Sequence, residues 1–338
     1  MAENSAISWT DHTMNFWIGC TKVSPACTNC YAAVDTFARR ERSHGNELWG
    51  PHANRHRTSA ALWKKPYAWN KNYYWVECPS CGWRGHVNSD HVKPIQDDNG
   101  KFPLKCVNCD REVRTTRQRV FVSSLSDICE LHPQITDNMR AEIALMVIQC
   151  ENLDFLFLTK RPENFNALWL QHFEGTLPNN LWVGTTVENQ KYADERIPEL
   201  LKIPAKVRFL SCEPLLGDLD ITKWIPGYIT RWGEGWTANT TTGDDRVDFI
   251  HWVIAGGESG SKARPTNPKW FASLRDQCAA SGVAFHFKQW GEWSTDGEDV
   301  DGTTPVIFTK DMDVPMWKIG KKKSGRLLDG MEHNGFPK

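Results

Sequence analysis

From residue 120 onward the chain alternates short apolar runs with longer helix-like stretches, and few folds accommodate that rhythm. The apolar runs lie at 120–124, 154–158, 181–185, 207–211, 251–255 and 283–287. Helix-like windows at 135–149, 162–170, 190–201 and 268–281 separate most of them. Pro162 and Pro268 fall at first-turn positions, where a missing N–H costs nothing. Such alternation argues a parallel α/β sheet. A further run at 16–19 brings the strand count to about seven, which favours a full or partial parallel (β/α) barrel over a small doubly wound sheet.

Barrels of this kind carry their active sites at the C-terminal edge of the strands. Polar residues gather there: Ser123, Ser124 and Asp127; Thr159, Lys160 and Arg161; Thr185, Glu188 and Asn189; Ser211 and Glu213; Glu258 and Ser259; Lys288 and Gln289. Each alone reads equally well as a helix cap or a loop group, but the recurrence at every strand end points to a site. Gly256 and Gly257, opening the turn Gly256-Gly257-Glu258-Ser259-Gly260, would let backbone approach a ligand and cradle an anion. The G-x-G-x-x-G spacing of a dinucleotide fold is absent.

The same edge holds Cys20-Thr-Lys-Val-Ser-Pro-Ala-Cys27-Thr-Asn-Cys30, between the run at 16–19 and a helix expected at 31–42. Three thiolates spaced C-x6-C-x2-C, with no obvious fourth local ligand, can fill three corners of a cubane iron–sulfur cluster and leave one iron open. The other readings are a zinc knuckle completed by a nearby His or Asp, and three buried, inert thiols.

Residues 45–119 break the α/β rhythm. Cys78-Pro-Ser-Cys81-Gly82 and Cys106-Val-Asn-Cys109-Asp110 are two C-x2-C knuckles separated by 24 residues, a zinc-ribbon spacing. Zinc is expected, with iron the minor alternative. The segment is also basic and aromatic, with Arg55, Arg57, Lys64, Lys65 and Lys71 among Trp63, Tyr67, Trp69, Tyr73, Tyr74 and Trp75, and Arg111, Arg114, Arg117 and Arg119 beyond. Cations neutralise phosphates and aromatics stack on unpaired bases, so the mixture suits nucleic acid; a solvated basic face over packed aromatics is the plainer alternative. The expected organisation is 1–44 for the first strand, cysteine loop and first helix; 45–119 for the inserted module; 120–291 for the rest of the barrel; and 292–338 for a C-terminal extension. Lys321-Lys322-Lys323 in that extension reads as a solvated charge run more readily than as a cover for the barrel mouth.

Net charge is −1, so global charge does not announce a nucleic-acid protein. No secretory signal or bilayer-length apolar run is evident, and a cytoplasmic protein without a membrane partner is expected. In that setting eleven cysteines read as metal ligands and reduced thiols; Cys129, Cys150, Cys212 and Cys278 read as small buried hydrophobes.

The motifs taken together resemble a known family. Trp9-Thr10-Asp11 to Asn15, then Gly19-Cys20-Thr21-Lys22-Val23-Ser24-Pro25 and Cys27-Thr28-Asn29-Cys30-Tyr31-Ala32, resemble the three-Cys-motif phage proteins. That family is similar to the radical S-adenosylmethionine (radical SAM) superfamily and related in pattern to spore photoproduct lyase. The likeness continues through Leu158-Thr159-Lys160-Arg161-Pro162, Glu213-Pro214-Leu215-Leu216-Gly217, Phe287-Lys288-Gln289-Trp290-Gly291 and Gly325-Arg326-Leu327-Leu328-Asp329-Gly330. Two features depart from the usual superfamily pattern. The first cysteine gap is six residues instead of three, and Ser123-Ser124-Leu125-Ser126-Asp127 stands where Gly-Gly-Glu is usual.

By resemblance, Cys20, Cys27 and Cys30 would hold a [4Fe–4S] cluster whose open iron chelates S-adenosylmethionine. One-electron reduction by a flavodoxin- or ferredoxin-like donor would then yield a 5′-deoxyadenosyl radical. Ser124 and Asp127 would meet the amino end of that cofactor; Thr185, Asn189, Gly256, Gly257 and Glu258 would line its site. Lys160, Glu188, Glu213 and Lys288 are the candidate catalytic residues. The expected substrate is a nucleic-acid base, DNA in preference to RNA, modified or rearranged as in viral DNA hypermodification. A radical SAM enzyme acting on a peptide, nucleotide or RNA, and a non-catalytic zinc protein that binds nucleic acid, are the alternatives.

Overall fold

The computed structural model describes residues 5–34, 36–94, 103–227, 229–232, 235–238, 249–296, 306–307 and 314–337. Seven parallel strands form one sheet in sequence order: β1 (His12–Met14), β2 (Gln118–Val122), β3 (Leu153–Thr159), β4 (Leu181–Thr186), β5 (Val207–Cys212), β6 (Trp252–Gly256) and β7 (Ala284–Gln289). The six strands expected from 120 onward are present within a few residues. The first is displaced: His12–Met14 pairs with Val120–Val122, whereas Trp17–Ile18 turns away to pair antiparallel with His56–Arg57. Apolar content alone did not separate these two neighbouring segments.

Helices α1 (Asp137–Gln149), α2 (Phe165–Trp169), α3 (Gln190–Leu201) and α4 (Pro268–Ser281) occupy the expected windows. Three start on side-chain caps, Thr136 accepting from Met139 N, Asn189 from Tyr192 N and Asn267 from Lys269 N. The helix expected at 31–42 divides into a 3₁₀ turn, Tyr31–Val34, and an α-helix, Thr36–Ser43.

The sheet is curled into a half-barrel. In a flat sheet β1 and β6 would lie roughly 24 Å apart, five spacings of about 4.8 Å. Trp9, three residues before β1, instead sits with its ring centroid 6.2 Å from that of Trp252 on β6. Alternate strand residues make two layers. Phe155, Phe157, Val183, Leu210 and Val253 face outward into the helix-covered core. Phe121, Leu156, Trp182, Phe209, Trp252 and Ile254 face inward and pack with Trp9. The chain end finishes the interior: Phe336 lies 5.1 Å from Trp252, under the guanidinium of Arg119 at 3.6 Å, and Gly335 O accepts from Trp252 Nε1 at 2.8 Å.

The inserted cysteine pairs form a separate β module with its own small core of Val76, Cys78, Cys106 and Val113. Its boundary differs from expectation. Trp63 and Trp69 belong to the main core, so residues from 45 to the low seventies are part of the barrel. The module docks at the N-terminal ends of the strands through buried ion pairs, Arg119–Glu77 at 3.4 Å and Arg84–Asp11 at 3.5 Å.

Because Trp252 is fully buried at the centre of the inner layer, Trp252→Ala should lower unfolding stability by about 3–5 kcal/mol in chemical denaturation. Leu145→Ala, at an exposed position on α1, should stay within about 0.5 kcal/mol of the parent.

Candidate functional site

The strand C-termini and the cysteine loop enclose a cavity of about 750 Å3, within the roughly 300–1,000 Å3 typical of small-molecule sites. Cys20, Cys27 and Cys30 all lie on its wall. The loop that carries them has one 3₁₀ turn, Pro25–Cys27, so its path is set mainly by contacts with the strand ends. Four arginine–carboxylate pairs make many of them, and in one of these Arg161, paired with Asp127 at 2.8 Å, donates to Thr21 O at 2.7 Å. Arg55 and Glu130, at 2.7 Å and almost wholly buried, hold Thr21, Glu130 accepting from its N–H at 2.8 Å and Arg55 donating to its hydroxyl at 2.9 Å. Glu188, paired with Arg196 at 2.9 Å, accepts from Ala26 N at 3.2 Å. Glu258, paired with Arg264 at 2.6 Å, accepts from Asn29 Nδ2 at 3.2 Å, while Arg264 donates to Pro25 O at 3.0 Å.

Several expected ligand contacts are corrected by this arrangement. Glu188 is fully buried and faces the back of the cysteine loop, so it positions the loop and touches no cavity space. Glu258 does the same. Asn189 caps α3, and Thr185 is buried with its hydroxyl donated to Thr159 O at 2.9 Å. Gly256 and Gly257 serve packing: a Cβ on Gly257 would fall 1.8 Å from Trp290 O, and one on Gly256 would fall 2.9 Å from Glu213 Oε1. Asp127 lines the cavity but is saturated, accepting from Thr159 Oγ1, Cys129 N, Lys160 N and Arg161 Nη1. The Ser124 hydroxyl accepts from Asn15 Nδ2 at 2.8 Å.

Three of the four candidate catalytic residues do meet in the cavity. Lys160 lies on its wall with no ion-pair partner among the described residues, and Lys288 pairs with Glu213 at 2.9 Å. Sequence reasoning singled out Ser123 but missed Ser126 and the tail. Ser123 and Ser126 line the cavity with buried hydroxyls that have no partner among the described residues, and Ser123 holds a left-handed backbone, φ 69°, unusual for a side chain other than glycine. The cluster of serines was the available signal. Lys321, Lys322 and Arg326 also line the cavity, so the charge run covers the mouth after all. It is pinned there by Ser324 Oγ donating to Gly291 O at 2.6 Å and by Trp290 Nε1 donating to Leu327 O at 2.7 Å.

Burial, with Asp127 and Glu130 adding to it, pushes the Cys20 thiol up to about 12, against the pull of Arg161, whose Nη1 is 3.8 Å from the sulfur. Burial would raise the Glu258 carboxyl too, but the hydrogen bonds from Arg264 and Asn29 outweigh it and hold the group below its usual range.

The four-cysteine group is of another kind. Sγ atoms of Cys78, Cys81, Cys106 and Cys109 lie within 4.8 Å of one another and can hold one metal ion such as zinc or iron. The pairs Cys78–Cys109 and Cys81–Cys106 are 3.3 and 3.6 Å apart, close to the edge of about 3.8 Å of a tetrahedron with zinc–sulfur bonds near 2.3 Å. The knuckles match: Gly82 N donates to Cys78 O and Asp110 N to Cys106 O, with both residues left-handed at φ 73° and 56°. The site is closed and stands at the end of the barrel opposite the cavity. The arginines around it are neutralised internally, Arg114 by Glu77 at 2.5 Å and Arg117 by Asp154 at 3.3 Å, while Arg55 is buried under the cysteine loop. Part of the expected basic face is therefore taken up by ion pairs, while Lys64, Lys71, Arg111, Tyr73 and Tyr74 remain exposed.

Fold and site define a parallel α/β half-barrel with a three-cysteine loop over the C-terminal strand edge and a four-thiolate module at the other end. The family model described as Protein of unknown function (DUF5131) matches residues 4–337, and the chain belongs to that family. No curated protein and no solved structure matches. Among the described residues no helix is long and apolar enough to cross a membrane.

Two outcomes follow. Metal removal, or Cys106→Ser, should unfold the module selectively, since single-ion thiolate sites contribute about 10–16 kcal/mol to the folding of small domains; hydrogen exchange should quicken in Trp75–Glu77 and Arg84–His86 while β3 and β4 stay protected. The Glu258 contribution is complete above its ordinary value of 4.5 and is lost as pH falls through its lowered folded value. The stability gap between the parent and Glu258→Gln should therefore hold steady near neutrality and close below pH 4.5, read from denaturation midpoints.

Proposed function

We propose that this protein is a radical SAM enzyme. The observation that carries the reading is the placement of Cys20, Cys27 and Cys30 on the wall of one cavity at the C-terminal edge of a parallel α/β half-barrel. The three sulfurs do not join a tight single-ion group among the described residues, and a four-iron body holds its thiolates farther apart than one ion does. The donor set thus fits an incomplete cluster better than a zinc knuckle. The resemblance to three-Cys-motif phage proteins supports the same chemistry.

Bound there, the cluster and S-adenosylmethionine would supply one-electron reductive cleavage and hydrogen abstraction by a 5′-deoxyadenosyl radical. The chain's own residues do the rest. Arg55, Arg196 and Arg264 with their carboxylates fix the loop that presents the thiolates. Ser123 and Ser126 offer free hydroxyls to a polar ligand, and they join Ser124 and Asp127, which line the same cavity, as groups that would meet the cofactor's amino end. Lys160 and the Lys288–Glu213 pair face the reacting volume, and the tail over the mouth restricts water. A nucleic-acid base remains the substrate we favour, with DNA ahead of RNA. Its approach runs past the cationic mouth and not past the four-cysteine module, which stands at the far end. A flavodoxin- or ferredoxin-like donor would reduce the cluster.

Anaerobic protein should contain about four irons and four sulfides beyond the ion of the four-cysteine site. With dithionite and S-adenosylmethionine it should release 5′-deoxyadenosine, and Cys27→Ala should lose both the cluster iron and the product. Zinc alone, with no cleavage after reconstitution, would favour a metal-stabilised binding protein.

A further inference from the structure

The charges around the cavity are unbalanced. Among the described residues that line it, seven are lysine or arginine and two, Asp127 and Glu213, are carboxylates, although the whole chain carries a net charge of −1. Arg161 and Lys288 are matched with those two carboxylates. Lys160, Lys321 and Lys322 have no carboxylate within ion-pair distance among the described residues. Arg326 is engaged within the tail, Nη1 reaching Glu332 at 3.4 Å and Nη2 donating to Asn334 Oδ1 and Phe287 O, and its Nε is buried with no acceptor. Burial and the neighbouring Lys288 hold the Lys321 ammonium below its usual range, with Glu213 and Glu292 opposing. Like charges gathered on one wall without counter-charge cost free energy unless a ligand neutralises them.

We propose that the C-terminal segment 321–326 builds an anion subsite in this cavity, and that the substrate binds with a phosphate ester against Lys321 and Lys322. A single carboxylate would neutralise one of these groups, whereas a phosphate ester, alone or in a chain of phosphodiesters, matches both and suits the compact ammonium groups of lysine. Arg326 ties the segment to Glu332, Asn334 and Phe287 O, but among the described residues the two lysines take no part in fixing it: the other holding contacts are made by Ser324 and by the backbone of Gly325 and Leu327. The inference rests on the cavity being the substrate site and deepens that reading by naming the chemical group that the substrate carries.

The test is equilibrium binding to the full-length, cluster-reconstituted protein, followed by tryptophan fluorescence since Trp49 lines the cavity. The probes are adenosine, AMP and a short single-stranded oligodeoxynucleotide. At least one phosphate-bearing probe should bind about tenfold or more tighter than adenosine, with affinity falling steeply with salt. Lys321→Gln/Lys322→Gln should weaken it by at least about tenfold and flatten the salt dependence, whereas Lys206→Gln, at an exposed position remote from the cavity lining, should not. A tighter oligonucleotide would mark the backbone as the source of the phosphate; equal or tighter AMP would mark a mononucleotide; both support the subsite. Equal binding of adenosine and the phosphate probes, no measurable binding, or an unaffected double variant would overturn it. Iron, sulfide and 5′-deoxyadenosine are measured on the same samples. An intact cluster with no phosphate preference sinks this inference alone, and phosphate binding without a cluster sinks the radical reading alone.

Discussion

The cysteine loop holds only a few internal hydrogen bonds, so what is proposed for the cavity depends on the arginine–carboxylate pairs that hold it. Arg55–Glu130, Arg196–Glu188 and Arg264–Glu258 each combine a charge pair with a hydrogen bond to the loop. Burying ions is expensive, and an apolar replacement of similar shape often stabilises a fold as well or better. Pairs in this position are therefore better understood as geometric devices. They fix backbone atoms of Thr21, Pro25 and Ala26, and through them the direction in which the three sulfurs point. Removing one partner would leave a buried charge uncompensated, so the loop and the strand edge stand or fall together.

A second constraint acts from the opposite end of the barrel. An open half-barrel of seven strands leaves an interior and an edge to be covered. Trp9 fills the interior from the N-terminal side, and Phe336 fills it from the C-terminal side. Residues near Asn334 run antiparallel along β7, with Phe287 N donating to His333 O and Gly335 N to Phe285 O, so the last strand is not left as a bare edge. The same tail that closes the bottom first crosses the mouth at Lys321 to Arg326. One segment thus ties the cavity end to the end of the barrel where the four-thiolate module docks.

Much of the fold was legible because parallel strands buried on both faces must be apolar, and six of the seven strands and the four helical windows declared themselves in that way. The first strand did not, since His12–Met14 is short and sits beside the more apolar Trp17–Ile18. The cysteines, Lys160, Glu213 and Lys288 were legible from type and strand-end position. Glu188, Asn189, Thr185, Glu258 and the glycine pair were misassigned for one shared reason: a strand end supplies polar groups both to the cavity and to the loops and helices behind it, and sequence does not say which way a side chain turns. The pairing of four of the segment's arginines, Arg55, Arg84, Arg114 and Arg117, was not legible, because their carboxylate partners Glu130, Asp11, Glu77 and Asp154 are distant in sequence. Ser126 and the tail were missed because neither follows a strand directly.

The central claim is that three thiolates on the cavity wall hold a cluster with one iron open to a ligand. The most direct measurement is electron paramagnetic resonance of the dithionite-reduced protein with and without S-adenosylmethionine. The account predicts a reduced [4Fe–4S] signal whose g values shift when S-adenosylmethionine is added, because the ligand binds the open iron. The absence of an iron–sulfur signal after reconstitution, or a signal that S-adenosylmethionine leaves unchanged, would contradict it.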